Sequence, residues 1–140
     1  MERAREDGYF VSDDKSRLDV ARIHQRLSQE CYWSLGRTRE RVEVSLEHSI
    51  VVGCFGADGT QVGLARWVTD DATFAWLCDV FIVEDHRGLG IGEFMVRAAM
   101  EHPAVTGLGI RLLATRDAHG LYQRFGFKET DPHRFMELRG

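Results

Sequence analysis

Residues 83–93 read Val-Glu-Asp-His-Arg-Gly-Leu-Gly-Ile-Gly-Glu, and this stretch is the most informative in the 140-residue chain. A long apolar run, Phe74 to Val83, leads into it, and helical spacing from about Ile91 to His102 follows it. The stretch is therefore predicted to be a glycine-rich turn between a central strand and a helix. Glycines at such a turn let the backbone approach an anion closely, and a helix N-terminus favours negative charge.

Two common phosphate-binding loops do not fit these residues. A P-loop requires Gly-Lys-Ser/Thr after four spacer residues, and residues 83–93 contain no lysine. A dinucleotide-binding loop requires a third glycine one position beyond Gly92, where this chain has Glu93. Two interpretations remain on these residues alone: a loop for another diphosphate-bearing ligand, or a tight turn that binds nothing.

The residues on either side of the loop predict a mixed α/β domain. Upstream we expect two helices and then a three-stranded antiparallel meander, over Leu18 to Glu30, Thr38 to Glu47, Ile50 to Phe55, Gln61 to Thr69 and Phe74 to Val83. Downstream we expect a strand, a short helix and a last strand, over Ile110 to Ala114, Asp117 to Phe125 and Phe135 to Leu138.

Composition narrows the class of protein. The length suits one domain, residues 1–140, and the 44% hydrophobic and 29% charged residues are typical of globular proteins. No apolar run of about 18 residues predicts a membrane span, and the charged first seven residues do not resemble a secretory signal. A net charge of −4 argues against a nucleic-acid partner. Three widely spaced cysteines predict free thiols in the cytoplasm and no metal site.

Two patterns together resemble a known family. Arg87, Gly90 and Gly92 form Arg-x-x-Gly-x-Gly, and residues 121–127 read Leu-Tyr-Gln-Arg-Phe-Gly-Phe. In this order, with a helix and a strand between them, they strongly resemble the signatures of the GNAT superfamily of N-acetyltransferases. The resemblance covers at least Ile50 to Phe127. It implies a mixed, mostly antiparallel sheet of about six to seven strands flanked by about four helices.

The resemblance also implies acetyl-coenzyme A as the acetyl donor, without a metal. The backbone of the central strand's end is expected to pair with the pantetheine arm, and the loop amides are expected to hold the pyrophosphate. Thr115 stands where the family frequently has asparagine. The coenzyme-binding residues carried over are Phe81, Ile82, Val83, Arg87, Gly88, Leu89, Gly90, Ile91, Gly92, Thr115 and Tyr122.

Catalytic roles are implied for three residues. Tyr122 is expected to protonate the departing thiolate, and an amide near Val80 to stabilise the oxyanion at a bulge in the strand. Asp79 is expected to act as the general base or to bind the amine, with His119 as a second candidate base. Cys78 stands where many relatives have a glutamate, and it is interpreted as a core residue, not a nucleophile.

The predicted function is transfer of the acetyl group of acetyl-coenzyme A to a primary amine of a small molecule by direct attack. We expect no nucleic-acid or membrane partner, and a homodimer is common in the family. Tyr32, Trp33, Trp67 and Trp76 could line an aromatic pocket, although Trp67 and Trp76 are interpreted as sheet core. Two alternatives are a coenzyme A-binding module without turnover and a glycine-rich fold that binds no nucleotide.

Overall fold

Six strands form one sheet in the computed structural model, which describes residues 1–140. The strands are β1 (Glu2–Ala4), β2 (Phe10–Ser12), β3 (Ile50–Phe55), β4 (Gln61–Thr69), β5 (Phe74–Ile82) and β6 (Ile110–Leu113). They lie side by side in chain order, and every neighbouring pair is antiparallel except β5 and β6, which are parallel. The expected mixed, mostly antiparallel sheet is thereby confirmed.

Five α-helices cover the two faces of this sheet. They are α1 (Val20–Gln29), α2 (Arg39–Glu47), α3 (Ile91–Met100), α4 (Pro103–Thr106) and α5 (His119–Gln123). Short 3₁₀ turns lie at Lys15–Arg17, Glu84–His86 and Pro132–Arg134. The sequence predicted four helices, and the additional one is α4. Pro103 is the first residue of α4, where the missing proline N–H costs nothing because the first helical N–H groups have no partner within the helix. No helix is both long and apolar enough to cross a membrane.

The sheet has a hydrophobic core on each face. On one side, α1 and α2 bury apolar side chains such as Ile23 and Leu46 against Val51 of β3. On the other, α3 packs against the face that contains Val52. Val51 and Val52 are consecutive, and they enter opposite cores because side chains alternate across a strand. The continuous apolar run in β3 is thus explained by burial on both faces.

The sequence analysis did not predict the first hairpin, which β1 and β2 form. Its turn contains Asp7 and Gly8, and Gly8 has a φ of +92°. The strands have three residues each, and Glu2 and Arg3 interrupt any apolar alternation. The turn signal was therefore present without the flanking apolar pattern that would have identified a hairpin.

The prediction of a last strand over Phe135–Leu138 is wrong. The segment forms no ladder, and the side chains of Met136 and Leu138 are 98% and 99% exposed. A strand requires a neighbouring backbone as well as a suitable sequence pattern, and β6 pairs only with β5. Residues 135–138 pair with no strand of the sheet, so their pattern has no hydrogen-bonding partner.

Candidate active site

The two parallel strands β5 and β6 separate halfway along β5. Their pairing joins Phe74–Leu77 to Ile110–Leu113 and extends no further. Since β5 continues to Ile82, residues 78–82 have a strand neighbour only on the β4 side. A free strand edge offers backbone N–H and C=O groups to an extended ligand. This edge leads directly into the glycine loop.

A bulge in β5 lies where the two strands separate. Leu64 pairs with Phe81 and Arg66 pairs with Cys78, so Ala65 faces two residues of β5, Asp79 and Val80. Asp79 has a φ of +53°, in the left-handed region that few residues other than glycine adopt. The register confirms the expected bulge. A bulge takes one residue out of the regular ladder, and Val80 is the candidate for an amide that turns towards the gap.

The glycine loop forms a cradle at the N-terminus of α3. Gly88 and Gly90 have φ values of +80° and +75°, and Gly90 is the N-cap of the helix. Arg87 fastens the loop to the strand, because its Nε donates a hydrogen bond to the Ile82 carbonyl at 2.9 Å. At Gly92 a Cβ would lie 3.7 Å from Ile82, an ordinary contact, so protein packing alone does not require glycine there. These features fit a bound diphosphate.

Tyr122 lies on α5, across the gap from β5. It lines a pocket of about 200 Å³ between the separated strands and an adjoining cavity of about 460 Å³. Burial raises the pKa of Tyr122 to about 12, and the nearby Tyr32 and Asp117 act in the same direction. The phenol therefore keeps its proton at neutral pH and can donate it.

Thr115 lies where β6 leads into α5. Its Oγ1 accepts a hydrogen bond from the Ala118 N–H at 3.0 Å, just before the helix begins. The hydroxyl proton is not used by that contact. Thr115 also lines both cavities beside Tyr122, so its proton can be donated to a ligand there.

The Asp79 carboxylate is surrounded by donors. Its Oδ1 accepts a hydrogen bond from Trp33 Nε1 at 2.9 Å. Its Oδ2 accepts from Arg37 Nη1 at 2.7 Å and from Arg66 Nε at 2.9 Å. Burial alone would raise the pKa of Asp79, but the Arg66 charge and the Arg37 hydrogen bond outweigh it, and the pKa lies below its ordinary value. A carboxylate so occupied is a poor proton acceptor, which argues for a positioning role.

Replacing Asp79 with asparagine should destabilise the fold. The change leaves two arginine charges without their buried counter-charge, and we expect a loss of about 2–4 kcal/mol in the free energy of unfolding, measured in urea. The matched control is Asp71→Asn, because Asp71 is the other non-glycine residue with positive φ, +64°, and it is exposed. A fully stable Asp79→Asn protein that had lost turnover would instead indicate a catalytic carboxylate.

The same ion pairs set a pH dependence. Because folding lowers the pKa of Asp79, its contribution to stability is present above the ordinary value of 3.8 and is lost as the pH falls below it. Wild-type protein should therefore lose more stability than Asp79→Asn between about pH 4 and pH 2. Parallel urea titrations across this range provide the measurement, and equal losses in the two proteins would contradict the assignment.

The other candidate base and the neighbouring thiol occupy different places. His119 is exposed and lines the 460 Å³ cavity but not the pocket between the strands. Cys78 lines that pocket, and burial raises its pKa to about 11, with the Arg66 charge opposing the rise. A protonated thiol is a weak nucleophile, but the interpretation of Cys78 as a core residue is wrong, because the side chain is half-buried at the pocket. No three His, Cys, Asp or Glu side chains converge as a metal site.

Several residues of the site were not identified from the sequence. Arg37 and Arg66, the partners of Asp79, are 42 and 13 positions away along the chain. Asp117 lines the pocket and was expected only as the start of a helix. His86 accepts or donates a 2.7 Å hydrogen bond with Tyr9 of the unexpected hairpin, which braces the glycine loop. The one sequence signal that could have identified a partner of Asp79 was the charged Arg66 in an otherwise apolar strand.

Comparisons with known proteins agree with this geometry. The family model for the acetyltransferase (GNAT) domain matches residues 47–129. A GNAT-family crystal structure from Xanthomonas campestris pv. campestris is 43% identical, with a TM-score of 0.90 over 94% of this chain and 93% of that one. A Gibberella zeae protein named as an acetyltransferase is 31% identical over 86% of this chain and 80% of its own.

A more distant structure shares the fold. N-acetylglutamate synthase from Neisseria gonorrhoeae, solved with coenzyme A and N-acetylglutamate, has a TM-score of 0.73 at 18% identity. The match covers 94% of this chain and 31% of that one. The separated strands, the glycine loop and the matches above together define an acyltransferase. The chain belongs to the GNAT family of acetyltransferases.

Proposed function

We propose that this protein transfers the acetyl group of acetyl-coenzyme A to the primary amine of a small molecule by direct attack. The observation that carries the proposal is the free edge of β5, which runs from a bulge to a glycine loop at a helix N-terminus. Tyr122 faces this edge across the pocket. Three free cysteines are compatible with a cytoplasmic location.

The coenzyme would be held mainly by backbone groups. The free edge at Phe81 and Ile82 is proposed to bind the amides of an extended arm, although the Ile82 C=O already accepts from Arg87. The expected third residue, Val83, is less suited, because its N–H and C=O are bonded to the Val62 C=O and the His86 N–H. The Arg87 N–H is bonded to the Glu84 C=O, so the amides of residues 88–92 and the dipole of α3 are the groups that suit the two phosphates. Thr115 and Tyr122 would contact the arm from the opposite side. Acetyl-coenzyme A supplies the acetyl group as a thioester, which a neutral amine can attack without a covalent enzyme intermediate.

Two groups of this chain suit the charges that develop during transfer. The Val80 N–H at the bulge would donate a hydrogen bond to the carbonyl oxygen as it becomes negative. The Tyr122 hydroxyl would donate its proton to the sulfur as the carbon–sulfur bond breaks. The proton that the amine nitrogen loses balances the one that Tyr122 gives up, and it can return to the phenol through water. His119 remains the candidate that would relay it.

A coenzyme A-binding module without turnover is the second candidate. The observation in its favour is that β5 supplies no free carboxylate: Cys78 replaces the usual glutamate, and Asp79 is bound to two arginines. The intact Tyr122 and the complete Arg-x-x-Gly-x-Gly loop favour the enzyme. Such a module would bind the coenzyme and release no thiol.

Two measurements test the proposal. At about 100 times its dissociation constant, acetyl-coenzyme A should raise the melting temperature by about 5–10 °C. A panel of amines should then release free thiol in a way that depends on the amine. A thermal shift without thiol release from any amine would favour the non-catalytic module. Absence of a thermal shift would contradict both candidates and leave a fold that binds no coenzyme.

A further inference from the structure

The pocket between β5 and β6 is small and largely apolar. Its volume is about 200 Å³, and ten of its thirteen lining residues are hydrophobic. A dry cavity of about 150 Å³ holds benzene, and because Thr115 and Tyr122 would also contact the coenzyme arm, the part of the pocket left for an acceptor has room for about one small ring. Aromatic side chains form much of its wall: Tyr32, Trp33, Trp76 and Tyr122. Trp67, by contrast, is buried in the core, as expected, whereas the same expectation for Trp76 is wrong, because Trp76 is only half-buried and lines the pocket.

The wall formed by residues 32 and 33 is held in place at two points. Trp33 donates its indole N–H to Asp79, as described above. The Tyr32 hydroxyl accepts a hydrogen bond from the Arg116 N–H at 3.1 Å, and the Arg116 guanidinium lies 3.7 Å from the centre of the Tyr32 ring. The two rings also meet edge to face at 5.0 Å. The aromatic wall is therefore preformed, which lowers the entropy cost of binding.

The charge inside the pocket has one sign. The charged lining residues of the pocket are Asp79 and Asp117, and the Arg116 guanidinium packs on the Tyr32 ring without lining the pocket itself. Asp79 is neutralised by two arginines. Asp117 is exposed at the pocket mouth, its carboxylate has no hydrogen bond or ion pair within the protein, and it lines the pocket together with Tyr122. A pocket with one free carboxylate and aromatic walls favours a cation over a neutral or anionic ligand.

We propose that the acceptor is a small apolar primary amine, bound as a cation with its ammonium group at Asp117 and its apolar part against Tyr32, Trp33 and Trp76. The proposal rests on the proposed acetyl transfer and adds the class of substrate to it. It separates simple amines from amino acids, because the pocket offers no positive side chain to a carboxylate. Asp117 is an amine-binding residue in this scheme: the bound ammonium gives one proton to water before its neutral nitrogen attacks the thioester, and the second proton leaves as described for acetyl transfer.

Direct binding of matched probes tests the class of ligand without requiring turnover. With coenzyme A present, quenching of tryptophan fluorescence measures phenethylamine against 2-phenylethanol, which has the same ring and chain without the charge. We expect phenethylamine to bind about 3- to 5-fold more tightly, the most that an ion pair with an exposed carboxylate supplies. Asp117→Asn should reduce that preference to less than about 1.5-fold, and the control Asp71→Asn, an exposed aspartate that does not line the pocket, should retain it. Equal binding of the two probes, or a preference that survives in Asp117→Asn, would overturn the proposal.

Turnover separates a failure of this proposal from a failure of the proposed function. We expect kcat/KM for phenethylamine to exceed that for phenylalanine at least about tenfold, with the coenzyme dissociation constant unchanged in Asp117→Asn. If the binding preference is present but no thiol is released, acetyl transfer fails and the cation site stands. If other amines release thiol while phenethylamine is neither preferred nor acetylated, the cation site fails and acetyl transfer stands.

Discussion

Replacing Gly92 with aspartate should weaken the binding of acetyl-coenzyme A by about 100-fold or more. A carboxylate in the first turn of α3 would lie close to the proposed diphosphate, and two like charges about 4 Å apart repel by about 4 kcal/mol at an effective dielectric constant of 20. An acidic residue in a first helical turn favours the helix itself, so the fold should survive. Isothermal calorimetry measures the affinity, and thermal unfolding confirms the fold.

The matched control is Gly92→Asn, which has the same shape without the charge. Asparagine should cost less than about tenfold in affinity if repulsion is the main effect. Gly92 is a better probe than Gly90, because Gly90 has a φ of +75° and any side chain there strains the loop before a ligand binds. A folded Gly92→Asp protein with wild-type affinity would show that this loop does not bind the diphosphate.

Replacing Tyr122 with phenylalanine should lower kcat by about 100-fold. The change removes the hydroxyl and keeps the ring, which meets Phe127 edge to face at 6.0 Å. No protein group bonds to the hydroxyl, so stability should change by less than about 1 kcal/mol. The dissociation constant of acetyl-coenzyme A should remain within about threefold of wild type, since the phenol acts mainly on the departing sulfur.

The experiment requires a rate that reports chemistry. Turnover at saturating amine should be independent of added viscogen, which shows that product release is not limiting. Because burial raises the pKa of Tyr122 to about 12, the acid form should persist throughout the neutral range, and no loss of rate should follow from its ionisation below about pH 11. Wild-type turnover by Tyr122→Phe under these conditions would remove the hydroxyl from the mechanism.

Much of the central architecture could be read from the sequence because local rules determine it. The bounds of β3 and β4 were expected where they are found, since the apolar runs end at the Asp58-Gly59 and Asp70-Asp71 turns. The loop of residues 83–93 was placed between a strand and a helix because the hydrophobic period changes there and glycines mark the turn. Where a local pattern was weak, as in β1, or lacked a partner, as at Phe135–Leu138, the expectation failed.

Only part of the candidate site could be predicted from the sequence. The glycine loop and Tyr122 belong to short patterns, so they could be named. The role of Asp79 could not, because the sequence shows an acid in an apolar strand but not which side chains surround it. Its partners Trp33 and Arg37 come from the connection between α1 and α2, and Arg66 comes from β4. Sequence reasoning therefore predicted Asp79 as a general base or an amine-binding residue, without showing that two arginines pair with it.

The sequence by itself determined the β-meander, the glycine turn at α3 and the family to which these patterns belong. These features depend on backbone propensity and on periodicities of two and 3.6 residues, which are properties of neighbouring residues. Only the tertiary structure decided that Asp79 is neutralised, that Asp117 is free and that residues 32 and 33 close the pocket. Those outcomes depend on contacts across as many as 84 positions of the chain, such as Tyr32 with Arg116. Such contacts form only when strand register and helix packing bring distant segments together.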